Sequence, residues 1–300
     1  MTKEQSEQNL RGKVEYMREF LPLDRYIAGD KNGLDQIYSY YKTNDWAYRN
    51  FHSKDGFMHF RISQNGRFAD DDVYFQPNAV SAFIRPGDEV LEIGFGHAAN
   101  LCYLAKRHPD AHFSAYDLMP FRGEKPANVT TYQQDYSRLQ QLPDNSVDVA
   151  YAFETIVHNT DKDTIFKELH RVLKPGGVMV VFDYAIRAPY ETFDPVIQTV
   201  IALISKGAAS ALIESAGEWD AHFANGGLRL ETRNDYSKEV CPDMLRLERL
   251  ANHILKRPRL AKLVFRLFPE QFVTNIIVGY LGYDFFVSET CYYYEWILRK

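Results

Sequence analysis

The chain lacks several features that mark whole classes of protein. Cysteine is scarce: Cys102, Cys241 and Cys291 are scattered and odd in number. Such spacing builds neither a disulfide framework nor a zinc site, and it fits a reducing compartment with three unpaired thiols. No apolar run reaches the roughly 20 residues that a membrane span needs, so no integral membrane segment is expected. Long basic runs are missing too, and the formal net charge is −5. Phosphate-backbone binding leans on clustered Lys and Arg, so no nucleic-acid partner is expected. The opening residues, Met1 to Gln8, are polar and mixed in charge, unlike a secretion signal. Internal repeats and low-complexity tracts do not occur. A cytoplasmic globular protein is the expectation.

What is present is core-forming material. Hydrophobic residues make up 45% of the chain and charged residues 25%, the balance of a globular chain. Aromatic content is high, with 20 Tyr and 20 Phe. Many fall early, at Tyr38, Tyr40, Tyr41, Trp46, Tyr48, Phe51, Phe57 and Phe60.

The pattern changes near residue 89. Before it, residues 5 to 82 read as mostly helical, broken at Pro22, Gly29 to Gly33, and Gly56. Asp70-Asp71-Asp72 there is suited to a helix start or a turn, with magnesium as the less favoured use. After it, strands and helices alternate, which argues for a parallel sheet with crossover helices. Strands are expected at 89–93, 112–116, 129–133, 147–153, 178–184, 228–234 and 287–298. Helices fall at 100–107 and 161–173, the second stopped by Lys174-Pro-Gly-Gly177. A helical insert over about 242–283, rich in Leu, Phe and Arg, precedes the last strand. The fold class is therefore α/β: a seven-stranded, mostly parallel, Rossmann-like sheet. An N-terminal helical cap over 1–76 and a core over 77–300 complete it.

The first strand runs into a glycine turn, Val90-Leu-Glu-Ile-Gly94-Phe-Gly96-His97, and Asp117 ends the second strand. Gly94 and Gly96 allow a sharp turn with no Cβ between backbone and ligand. Asp117 can accept hydrogen bonds from both ribose hydroxyls. A nucleoside site follows, and NAD must be weighed, because Gly94-Phe-Gly96-His-Ala-Ala99 also resembles the dinucleotide fingerprint. Three features favour S-adenosyl-L-methionine instead. Glu92 is placed to buttress the turn or to approach the methionine end of the cofactor. Asp135 and Tyr136 follow the third strand, suited to the adenine amino group and ring. The stretch Arg171 to Phe182 has the helix, glycine break and strand found in class I methyltransferases.

In these stretches the chain resembles class I S-adenosylmethionine-dependent methyltransferases, and among them the sterol and terpenoid C-methyltransferase group. Tyr40-Tyr41 with Gly56-Phe-Met-His59-Phe60 is similar to that group's region ahead of the cofactor fold. Val149 to His158 is similar to its fourth-strand segment, with Glu154 and His158 four apart. The tryptophan-glycine pair usual before the His-Phe motif is absent. The resemblance implies Leu118 and Phe153 beside the cofactor, with Glu154, His158, Tyr41 and His59 as catalytic residues. It implies methylation of a small apolar, terpenoid-like acceptor, most simply an alkene attacked to give a carbocation, with cyclisation as a further outcome. An aromatic lid around Tyr41 would shelter that cation. If the chain turns helical after Glu154, the pair shares one face and can hold or relay a proton. O- or N-methylation of a natural product is the nearest alternative, and an NAD-dependent oxidoreductase the alternative of another class. A homo-oligomer is expected, since an apolar N-terminal segment can exchange between subunits.

Overall fold

In the computed structural model of the chain, the described residues are 1–27, Thr43, Ser53 and 55–300. The expectations for Tyr38, Tyr40, Tyr41, Trp46, Tyr48 and Phe51 lie outside them.

The central strands are nearly continuous apolar runs. That is the pattern of strands covered on both faces. Strand β1 (Glu89–Ile93) is buried from Val90 onward, Glu92 included. Strand β2 is His112–Asp117, β3 Val129–Gln133, β4 Val147–Phe153 and β5 Leu173–Ile186. Antiparallel β6 (Arg229–Asp235) and β7 (Cys291–Arg299) complete a seven-stranded sheet of order β3-β2-β1-β4-β5-β7-β6. Strands β1 to β5 are mutually parallel, and β7 runs antiparallel between β5 and β6. Strand order departs from β1 in one direction to β2 and β3, then restarts on its other side with β4. The carboxyl ends of β1 and β4 therefore diverge into a crevice, the usual ligand position in open α/β sheets.

Helices α1 (Lys3–Arg18), α2 (Leu23–Ile27) and α3 (Phe75–Ser81) precede the sheet. A Thr2 capping box opens α1. Between residues 57 and 69 the chain is extended or turning, not helical as expected. Asp70 to Tyr74 form a 3-10 turn, in which Asp72 accepts hydrogen bonds from the Ala69 N–H and the Ser63 hydroxyl. Helix α4 (Ala99–Arg107) follows β1, and α5 (Lys162–Val172) joins β4 to β5. Lys174-Pro-Gly-Gly177 does end α5, but as a bulge within β5: pairing jumps from Val147–Leu173 to Val149–Val178. Helices α6 (Pro195–Gly207) and α7 (Ala216–Asn225) lead to β6.

The insert is longer than expected. It comprises α8 (Ser237–Leu255), α9 (Pro258–Leu267) and α10 (Glu270–Val287). Consequently Val287 closes a helix and the last strand begins at Cys291. The misplaced boundary has a simple cause: an unbroken apolar run reads the same as strand or buried helix.

Much of the aromatic excess is structural. Trp219 on α7 stacks on Trp296 of β7 with ring centroids 4.9 Å apart, and both are fully buried. Phe166 and Phe223 pack edge-on against this pair, fastening α5 and α7 to the sheet. Truncating one such ring removes its transfer energy and leaves a cavity. Trp219→Ala is expected to cost about 3–5 kcal/mol, read as a lower urea midpoint with an unchanged m-value.

Candidate functional site

The turn after β1 is built on left-handed backbone. Gly94 has φ +74° and Gly96 φ +51°, where a side chain is strained. A Cβ on Gly94 would also land inside the Thr155 side chain, and one on Gly96 would lie 2.7 Å from Met58 Sδ. The turn is held from below by the Gly94 N–H, which donates to the Tyr116 carbonyl at 2.8 Å. Asp117, at the end of β2, grips it from the side. Its two oxygens accept from the Gly96 and Met119 N–H groups, each at 2.7 Å. Burial raises the Asp117 pKa while those backbone donors oppose the rise. Each oxygen keeps a lone pair for a ligand hydroxyl, so the same carboxylate can shape the turn and hold a ribose.

These groups border a cavity of about 880 Å³ at the diverging ends of β1 and β4. Gly94, Gly96, Asp117, Leu118, Asp135, Tyr136 and Phe153 all lie on its wall. Asp135 accepts from the Ser137 N–H at 2.9 Å, which fixes the turn carrying Tyr136. The Tyr136 hydroxyl donates to the Thr155 carbonyl at 2.9 Å, pinning the ring. Another part of the wall is mainly apolar, with Leu247, Ala251 and Ile254 of α8 and Phe272 and Ile276 of α10, and His253 and Asn275 among them. Glu92 is not on the wall. It is buried behind it, accepting from the Tyr151 hydroxyl at 2.9 Å, and burial pushes its pKa up to about 8. Its observed bond supports the sheet under the turn.

Glu154 and His158 both lie on the cavity wall, but not on one helical face. Glu154 has φ +49°, and its N–H donates to the Phe182 carbonyl at 2.7 Å. The chain then makes a 3-10 turn at Ile156–His158. The Glu154 carboxyl accepts from the Phe60 N–H and the Tyr293 hydroxyl, both at 2.7 Å. His158 Nδ1 lies 3.1 Å from the Ala209 carbonyl, and the ring approaches Glu154 through that residue's backbone. Burial dominates both ionisations. It pushes Glu154 up to about 8 and His158 down to about 4, against the carbonyls that favour the imidazolium. Near neutral pH the acid is largely protonated and the imidazole neutral.

His59 is also buried on the wall. Its Nε2 lies 3.0 Å from Asn100 Oδ1 and its Nδ1 3.1 Å from the Phe60 carbonyl, with its ring edge-on to Phe153. Tyr41 lies outside the described residues. The aromatics expected early divide: Phe60 is on the wall, whereas Phe57 is buried against His59 and Tyr74. Among the described residues no cluster of three His, Cys, Asp or Glu side chains could hold a metal ion.

Three residues at the site were not anticipated. Tyr293 of β7 binds Glu154, and Tyr184 of β5 lines the cavity. Asp183, fully buried and pushed up to about 7 by burial, accepts from the Val157 and Tyr184 N–H groups and so fixes the turn carrying His158. A lone carboxylate inside the apolar run Val178 to Ile186 was the available signal for Asp183. For Tyr293 there was none, since Tyr292, Tyr294 and Trp296 of β7 carry similar rings.

Glu154 gives a test with a definite sign. Its pKa rises from an ordinary 4.5 to about 8 on folding. The stability this group contributes is therefore present below its unfolded pKa and lost as pH rises through its folded one. Glu154→Gln, nearly isosteric and uncharged, should match the parent Tm below pH ~4.5 and exceed it by a margin that grows up to pH ~8. Calorimetry across that range checks it.

Residues 91–181 match the family model described as a methyltransferase domain. A sterol 24-C-methyltransferase of Aspergillus fumigatus is 34% identical over 162 residues, 51% of this chain and 42% of that protein. Phosphoethanolamine N-methyltransferase 1 of Arabidopsis thaliana is 32% identical over 113 residues, 35% of this chain and 23% of that protein. The chain thus spans less than half the length of either relative. The cyclopropane synthase MmaA2 of Mycobacterium tuberculosis has the same fold: TM-score 0.71 at 13% identity, covering 90% of this chain and 99% of that one.

Proposed function

We propose that this chain, a class I methyltransferase by its fold and by the domain at residues 91–181, uses S-adenosyl-L-methionine to methylate a small apolar acceptor. The finer reading is carbon methylation of a terpenoid alkene. The observation that carries it is the Glu154 carboxyl, half-buried on the cavity wall and held by Tyr293 and the Phe60 N–H.

The polar half suits the nucleoside. Asp117 takes the ribose hydroxyls, Asp135 the adenine amino group, and Tyr136 covers the ring. The cofactor supplies an electrophilic methyl on a sulfonium centre. The protein's part is to hold the acceptor carbon in line and to keep water out. Leu247, Ile254 and Ile276 suit a hydrocarbon acceptor better than the phosphate of a phosphoethanolamine.

An alkene that gains a methyl becomes a carbocation. Phe60 and Tyr184 present rings beside Glu154, and ring faces attract positive charge. The cation is discharged when a neighbouring C–H gives up its proton, or when a second double bond attacks and closes a ring. Ionised Glu154 is the proton acceptor in this reading. Tyr293 and the Phe60 N–H stabilise that ionised form, since both donate to it. His158 and His59 act as positioning residues. His158 holds the backbone of Glu154 and of Ala209, and His59 ties the Phe60 backbone to Asn100 of α4.

The relatives support transfer to carbon and transfer to nitrogen unequally. The longer match is to a sterol 24-C-methyltransferase, the shorter to a phosphoethanolamine N-methyltransferase. The oxidoreductase reading is set aside, because the glycine turn lies within a methyltransferase domain.

Turnover of methyl-labelled cofactor against terpenoid alkenes, phenols and amines tests the reading. Label in alkenes alone is expected; label in amines or phenols alone overturns carbon methylation. Glu154→Gln should cut kcat about 100-fold or more with cofactor affinity unchanged by calorimetric titration. In the parent enzyme kcat should rise with pH through about 8, as Glu154 ionises. Asp117→Ala should instead weaken cofactor binding, through both the lost ribose contacts and the loosened turn.

A further inference from the structure

The surface beside the cavity departs from the rest of the molecule in charge and in polarity. Five of the seven large hydrophobic side chains exposed among the described residues fall between 250 and 268: Leu250, Leu260, Leu263, Leu267 and Phe268. Leu260, Leu263 and Leu267 recur at helical spacing along α9 and form one outward stripe. The opposite side of α9 is spent on the fold, with Ala261 fully buried and Phe265 edge-on to Tyr26.

The same stretch is strongly basic. Lys256, Arg257, Arg259, Lys262 and Arg266 are all exposed, and no Asp or Glu occurs from Arg249 to Pro269. Arg257 bonds to the His253 carbonyl, and none of the five forms an ion pair with a described residue. This in a chain of formal net charge −5 is a local concentration of one sign. The helical projection sets Arg259, Lys262 and Arg266 along one flank of the leucine stripe.

The patch is continuous with the cavity. Phe268, half-exposed, stacks on Phe272 with ring centroids 5.3 Å apart, and Phe272 lines the cavity. Leu250 is both exposed and on the cavity wall. An apolar track thus leads from the surface of α9 into the apolar half of the cavity.

We infer that α9 and the turn after it form a docking surface for an anionic lipid bilayer, seating the cavity mouth against the membrane. Leucines enter the acyl boundary and the flanking cations meet lipid phosphates. No helix among the described residues is long and apolar enough to cross a membrane, so the contact is peripheral. A second copy of the chain fits the face less well, because a two-fold contact sets its cations against their own copies. The inference does not rest on methyl transfer. If the acceptor is apolar, the same surface supplies it from the bilayer, where such molecules partition.

The test uses the full chain and sedimentation with vesicles of phosphatidylcholine alone or mixed with phosphatidylglycerol. Binding is expected to the mixed vesicles and to weaken as salt is raised. Leu263→Ser/Leu267→Ser and Lys262→Glu/Arg266→Glu should each lower it about tenfold or more. Circular dichroism and cofactor affinity, both unchanged, would show that the variants are folded. Equal binding to both vesicle types, no binding, or parental binding by both variants would overturn the inference. So would a dimer, seen by light scattering, that the leucine variant abolishes.

Discussion

A half-buried carboxyl group with no partner cation among the described residues, at the seam of three parts of the chain, is the constraint on which the site depends. Glu154 takes one hydrogen bond from the Phe60 backbone, ahead of the sheet, and one from Tyr293, on the seventh strand. Its own backbone is tied to Phe182 on β5. Burying such a group is costly unless it is bonded or neutral. Here it is both, because desolvation keeps the proton on until about pH 8. The two donors also join elements far apart in sequence, so placing the carboxyl fixes how the N-terminal segment meets the sheet. Gln76 reinforces the joint by donating to the Phe60 carbonyl.

In the proposed reaction such a joint has a chemical use as well as a structural one. A carboxyl that is neutral in the resting site costs little to bury, yet the same donors are ready when it ionises. A cationic intermediate nearby would favour that ionisation, since opposite charges in a dry site attract strongly. The neutral state of His158 fits this arrangement, because an imidazolium there would compete with the substrate for the carboxylate.

Most of the sheet was legible because parallel strands announce themselves. The strands at 89–93, 129–133 and 147–153 have the bounds that the spacing predicts, and the others differ mainly at their ends. Asp117, Asp135 and Tyr136 were legible too, since position after a strand fixes where a side chain can reach. Glu92 was only half legible: its orientation follows from alternation, but not the burial that gives it to Tyr151. The Glu154–His158 pair was found for a partly mistaken reason. Four-residue spacing suggests a shared helical face, whereas a left-handed residue and a 3-10 turn bring the imidazole to the Glu154 backbone. Tyr293 was invisible because its partner is 139 residues away, joined only through strand pairing.

The helices between β6 and β7 reveal what the sheet itself does not require. Antiparallel neighbours can be joined by a two-residue hairpin. Here the connection makes three helices instead, and the strands still pair as a hairpin would. Helices α8 and α10 wall the apolar half of the cavity, and α9 carries the basic, leucine-striped surface at its edge. Since the fold would close without them, their composition is free to follow the acceptor and the route by which it arrives. The residues proposed to bind the nucleoside have no such freedom, because the turn after β1 and the end of β2 are fixed by the strand order. The division fits the match of residues 91–181 to the methyltransferase-domain model: one half of the cavity is dictated by the sheet, the other only by what must fit inside it.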